Sequence, residues 1–318
     1  MIIVEMDRRA FLATAGAAGA VAVVPLPDRV TPDVMTALSD RYDWHVRAGR
    51  VMPAETVSRL MKVDLEEISR VAGNVPTSFR PAMLTLASRF AEHLGWMRQE
   101  ADDTTGALYW TDRAADFAHA AGWRHMASYA LSRKAAIVLN TQPRHATELA
   151  GLVRKDRRLP AGVIAFAAGK EAEAHARAGN AKGAYEALDL ARAAADRIDP
   201  DEPLPAPQMV ATGALLDARQ SRCDLVLGRP EAVITTLAPI TAEWITPRSV
   251  INYGPPLAIA YAKVGHIDKA SRVAGSIARS RQQCGSTGSL QDVRELRSAL
   301  RPWAGRSDVD DVIAALST

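Results

Sequence analysis

The chain has 318 residues, room for two ordinary domains or one elongated array, and enough to bury about three quarters of its surface in a compact fold. Its 39 basic and 36 acidic side chains leave a net charge of +3, which gives no support to the clustered basic face of a strong nucleic-acid binder. Aromatic residues are only 5%, alanine is abundant and β-branched residues never alternate in long runs, which argues against a sheet and for an all-α protein.

Residues 1–27 support two readings. Arg8 and Arg9 followed by an uncharged alanine-rich run resemble a twin-arginine export signal, with Ala20 and Ala22 as small residues where a peptidase could cut. The alternative is a linker, because Glu5 and Asp7 make the preceding stretch less positive than export prefers. The run from Ala10 to Pro27 is too short and too weakly apolar for a membrane span, which needs about 20 predominantly apolar residues.

From there helices follow one another. Thr31-Pro32-Asp33 caps the first, which Gly49 ends; Leu38, Tyr42 and Val46 space one face. Pro53 opens the second, with Val57, Leu60, Met61, Leu65 and Ile68 as its apolar stripe and 73–76 as its stop. Pro81 to Glu100 is the first strong helix, with Gly95 placed for close approach, and its partner runs from about Thr104 to Ala121. Arg124 to Asn140 pairs with Arg144 to Lys155. A third pair, within 161–199, turns at Gly179-Asn180 and is rich in alanine. Gln208 to Leu227 pairs with Pro230 to Trp244, and Val250 to Val264 with Asp268 to Gln283. Residues 285–289, Gly-Ser-Thr-Gly-Ser, read as a flexible break, and Leu290 to Leu300 with Val309 to Leu316 close the far end.

The pairs repeat. A turn residue followed by a buried small residue recurs as Asp102/Ala107, Thr141/Ala146, Gly179/Ala184, Gly228/Ala232 and Gly265/Ala270. The alanine intervals are 39, 38, 48 and 38, and the odd one contains the proline run 200–207. A period near 38 with two helices per unit belongs to the tetratricopeptide class of solenoids. The expected fold is therefore an all-α, tetratricopeptide-like helical-hairpin solenoid, an α-α superhelix of about five hairpins plus capping helices. Its parts are a linker or twin-arginine-like segment at 1–30, amino-terminal caps at 31–78, repeats at 79–284 and carboxy-terminal caps at 285–318.

The order RRAFLATAG, FAEHLGWMRQEADDTTGALYWTDRAADFAHAAG, YALSRKAAIV and EAEAHARAGNAKGAYEALDLA resembles the carboxy-terminal half of actinobacterial helix-turn-helix regulators with tetratricopeptide-like sensor regions. The likeness runs from Arg8 onward, and GWMRQEADDTTGALYW is its most specific part. In that family a DNA-binding domain of the lambda-repressor type precedes the arginine pair, whereas seven residues precede Arg8 here. The resemblance implies a helical sensor module, related in design to bacterial peptide-pheromone receptors, without the DNA-binding half and without direct nucleic-acid binding. It also favours the linker reading, hence a cytoplasmic protein, with export through Arg8-Arg9 as the alternative.

No catalytic chemistry is legible. The seven histidines form no HExxH and no zinc spacing, and GxSxG, P-loop and GxGxxG patterns are absent. Cys223 and Cys284 are 61 residues apart and read as buried small hydrophobes. No cofactor or metal is expected. A repeat solenoid offers instead a concave face lined by the first helix of each hairpin. Aligning Gly95, Ala172 and Ala258 places Arg89, Glu92, Trp96 and Gln99 in that groove, with Tyr129 and Arg133, Glu173 and Arg177, Asp217 and Ser221, and Asn252 from the later units. Arginines and amides there suit an extended peptide or a protein segment. Taken singly, each reads equally as an ordinary solvated or inter-helix polar residue. The sequence leaves a homodimer open.

Overall fold

The computed structural model describes residues 30–49, 52, 54–72, 75–199, 201, 205–206, 213–241, 247–284 and 290–317. The segment 1–29, the stop at 73–74, most of the proline run, the helix start at 208–212, the helix end at 242–244 and the stretch 285–289 lie outside the described residues. The described chain is all-helical, with no strand among the described residues. Its helices are α1 (Pro32–Ala48), α2 (Ala54–Ala72), α3 (Arg80–Glu100), α4 (Thr104–Ala120), α5 (Arg124–Val138), α6 (Pro143–Arg154) and α7 (Ala161–Arg177). They continue as α8 (Ala181–Ala195), α9 (Gly213–Val226), α10 (Pro230–Leu237), α11 (Pro247–Lys263), α12 (Ile267–Cys284), α13 (Leu290–Leu300) and α14 (Ser307–Ala315). Among the described residues no helix is long and apolar enough to cross a membrane.

One turn recurs where a helix ends and its partner begins. Asp102, Gly179, Gly228 and Gly265 all have φ between 62° and 79°. The next amide then reaches back five residues: Asp103 to the Arg98 carbonyl and Asn180 to that of His175, both at 2.9 Å, Arg229 to Asp224 at 2.8 Å and His266 to Tyr261 at 2.9 Å. This closes the orphan carbonyls of the outgoing helix. Asp103 and Asn180 then cap the incoming helix, accepting from the Gly106 and Gly183 amides at 2.8 and 3.0 Å. The Thr141 turn differs: it closes through the Gln142 amide on the Val138 carbonyl at 2.7 Å, with no left-handed residue.

Because the turn fixes the phase of the incoming helix, the residue five positions on always faces the outgoing one. Ala107, Ala146, Ala184, Val233 and Ala270 are all fully buried. The expectation of Ala232 in the fourth pair is corrected to Val233; Ala232, about 100° away around the helix, is only partly buried. Gly95 is needed where α3 crosses α4: a β-carbon there would lie 3.0 Å from Thr111 Oγ1 and 3.3 Å from the Ala107 carbonyl.

Consecutive helices pack on one another from α1 to α12, most closely α3 on α4, α7 on α8 and α11 on α12. In addition each odd-numbered helix from α1 to α13 packs on the next odd-numbered one. Among the even-numbered helices only α12 and α14 meet comparably. α1 and α2 touch each other lightly and are tied by Asp64, which takes both the Arg41 guanidinium and His45 Nε2, the latter at 2.6 Å. The largest apolar core spans α1 to α7, and a second spans α9 to α14. Between them α7, α8 and α9 meet through small clusters built largely of alanine.

The turn geometry makes a direct prediction. Gly179 has φ 76° and open space around its missing β-carbon, so Gly179→Ala carries backbone strain alone. It should destabilise by about 1 kcal/mol in urea denaturation followed by circular dichroism.

Candidate functional site

The odd-numbered layer carries a seam of buried polar side chains. On α3 and α5 the structure brings together Glu92, Tyr129 and Arg133. The Tyr129 hydroxyl donates to Glu92 Oε1 at 3.0 Å, and Arg133 Nε lies 3.2 Å from the same oxygen. All three are buried, so they line no open groove. Arg133 Nη2 and the fully buried Ser132 hydroxyl have no hydrogen-bond partner among the described residues.

Phe166 of α7 continues the seam. Its ring meets Tyr129 at a tilt of 59° with centroids 5.1 Å apart, and the Arg219 guanidinium of α9 lies over it, 5.1 Å from its centroid. Beyond it Glu173 receives two cations, Lys170 Nζ at 2.9 Å and Arg219 Nη1 at 3.1 Å. Gly169 makes room for this arginine: a β-carbon there would sit 2.9 Å from Arg219 Cδ. Burial alone would raise the Glu173 carboxyl, but Lys170, Arg219 and Arg222 outweigh it and hold it at about 2. Burial pulls the Lys170 ammonium down to about 8, against the opposing pull of Glu173.

Arg222 is the next link, and a proline explains its position. α11 contains Pro255 and Pro256, and a proline inside a helix withdraws the amide that would bond four residues back. Pro256 thereby frees the Asn252 carbonyl, and Arg222 Nη2 donates to it at 3.1 Å. The same guanidinium reaches Asp292 of α13 at 2.8 Å. Burial would lower the Arg222 pKa, but Asp292, Glu173 and Glu295 together keep it above the ordinary arginine value.

The other sequence-predicted residues scatter. The Arg89 guanidinium covers the Tyr42 ring at 4.7 Å, so it packs α1 onto α3. Trp96 stacks on His93 at 5.2 Å, and Gln99 Nε2 donates to the Ala136 carbonyl at 3.0 Å. Arg177 is half-buried and 3.9 Å from Glu295 of α13. Asp217 faces the even-numbered layer, taking Arg192 of α8 at 2.8 Å. Ser221 is fully buried with no partner for its hydroxyl among the described residues. Asn252 enters through its carbonyl. Sequence reasoning missed Phe166, Lys170, Arg219 and Arg222; the signals available were Gly169, which leaves a gap opposite a long side chain, and Pro256, which leaves a carbonyl to be filled.

The seam therefore has a surplus of positive charge around Glu173 and a fixed line of donors. Among the described residues no three or more His, Cys, Asp or Glu side chains converge as metal ligands would. An open cleft of about 510 Å³ between α4 and α5, lined by Asp112, Asp116, His119, Arg124 and Lys134 among others, shares no residue with the seam. Set against models of known protein families the chain matches none, and it matches no curated protein.

Two substitutions test the seam. Glu173→Gln leaves buried cations without their carboxylate and should cost about 3 kcal/mol at pH 7. The Glu173 carboxyl titrates at about 2 in the folded chain against an ordinary 4.5, so the unfolded chain binds the extra proton between those values. The Glu173 contribution is thus complete above about pH 4.5 and is lost as pH falls toward 2. Urea titrations at a series of pH values should show wild type and variant converging in acid. Gly169→Ala, favourable by about 1 kcal/mol in an exposed helix, should here destabilise by about 1–3 kcal/mol, because it drives Arg219 off its site.

Proposed function

We propose that this chain is a non-enzymatic binding module of tetratricopeptide-like design. The odd-numbered helices would form its inner wall, and a peptide or protein segment would be its ligand. One observation carries the reading: two clusters of charged side chains, bridged by Tyr129 and Phe166, are kept inside the helix layer where apolar residues would pack at no electrostatic cost. Arg133 Nη2 and the Ser132 and Ser221 hydroxyls are further donors along that line, and buried donors of this kind are satisfied by ligand or water. The repeating turn and the shared odd-numbered layer support the solenoid part of the reading. A sensor role in the manner of the regulators whose sequence this chain resembles follows from it, as does a partner made of protein.

The test is calorimetric titration of peptides selected from a random library on the immobilised chain. Arg177→Glu, on the inner layer, should weaken binding roughly tenfold, whereas Leu152→Ala, on the exposed face of α6, should leave it within about twofold. A selection without binders, or binders that respond equally to both changes, ends the reading.

A further inference from the structure

α13 has two faces. Val293, Leu296 and Leu300 are buried in the core that spans α9 to α14. The other face reaches back along the seam: Asp292 meets Arg222 of α9 at 2.8 Å, and Glu295 lies 3.9 Å from Arg177 of α7. These two carboxylates are three residues apart, so they project from one side of the helix. Arg294 adds a contact 2.8 Å from Asp102, at the turn that follows α3. Besides packing on α11, this helix of eleven residues thus reaches three earlier parts of the chain through charged side chains. It is also weakly held by its own successor: α13 and α14 barely touch, α14 packing instead on α12. The pairs α3/α4, α5/α6, α7/α8, α9/α10 and α11/α12 each have their two halves in far closer contact.

The basic side of this arrangement is built independently of α13. Arg222 is fixed by the Asn252 carbonyl that Pro256 releases, and Arg219 and Lys170 are fixed by Glu173. Remove the two carboxylates of α13 and the surface left by α7, α9 and α11 presents Arg177 and Arg222 to whatever lies on it. We propose that this surface is a receptor for an acidic amphipathic helix, that α13 is the occupant the chain carries for itself, and that a partner helix with carboxylates at i and i+3 competes with it. The proposal rests on reading the odd-numbered layer as the binding wall.

The test uses the full chain and a fluorescein-labelled peptide with the sequence of residues 290–301. Wild type binds it weakly, because the tethered helix holds the site at high effective concentration. Asp292→Lys with Glu295→Lys repels the internal helix, and fluorescence anisotropy should report roughly tenfold tighter binding of the peptide. Adding Arg222→Glu should remove that gain, as should a peptide with Asn and Gln in place of its two acids. If circular dichroism shows the double variant unfolded, wild type supplies the readout: excess peptide should speed hydrogen exchange in 290–300 while α9 and α11 stay protected. Equal binding by wild type and a folded double variant, or unchanged exchange, overturns the proposal. So does binding that ignores Arg222 and the peptide's charge. If library-selected peptides still bind in either case, only the acidic-helix receptor falls; if they fail as well, the binding wall falls with it.

Discussion

A short helix can remove only one stripe of its surface from water against a single neighbour, and in this chain the odd-numbered helices have two. Each is covered by its hairpin partner and by the next odd-numbered helix. The effect on burial is large. α7 buries twelve of its seventeen residues, while its partner α8 buries five of fifteen. A side chain on the odd layer therefore has little access to water whatever its polarity, and any charge placed there must find a partner inside the chain.

That requirement explains the composition of the seam. Glu92 is met by Tyr129 and Arg133, Glu173 by Lys170 and Arg219, and Arg222 by a carbonyl and a carboxylate. Replacing such pairs by well-packed apolar residues is often neutral or stabilising, so they add little to the folding free energy of the array. What they contribute is register. Between the two apolar cores the alanines of α7 meet only Leu216 and Cys223 of α9 in these small clusters, which gives few interlocking side chains; a guanidinium seated over Phe166, in the space left by Gly169, supplies one.

Much of the fold was legible because it depends on local signals. Proline openings, left-handed turn residues at most turns and a small residue five positions beyond most of them are all properties of short stretches, and together they mark the helix pairs. The fourth turn shows the limit: Ala232 looked like the repeat residue because it is an alanine, but phase rather than residue type decides, and Val233 holds the position. The seam was legible only in outline. Glu92, Tyr129, Arg133 and Glu173 lie on the expected helices, but inside a closed layer rather than along an open groove, since how tightly the odd-numbered helices approach one another is a tertiary property. Asp217 faces the other layer for the same reason: no single-helix pattern reveals that Arg192 waits on α8. The role of Arg222 depends on a proline thirty-four residues later and a carboxylate seventy residues later, separations that periodicity cannot bridge.

Asp102 and Arg294 join the turn after α3 to α13 across 192 residues of chain. Contacts between helices that are neighbours in sequence would leave these two regions independent of each other. The exposed pair links them directly, but such a pair is worth at most about 1 kcal/mol and weakens in salt. It is a latch that ionic strength alone can loosen.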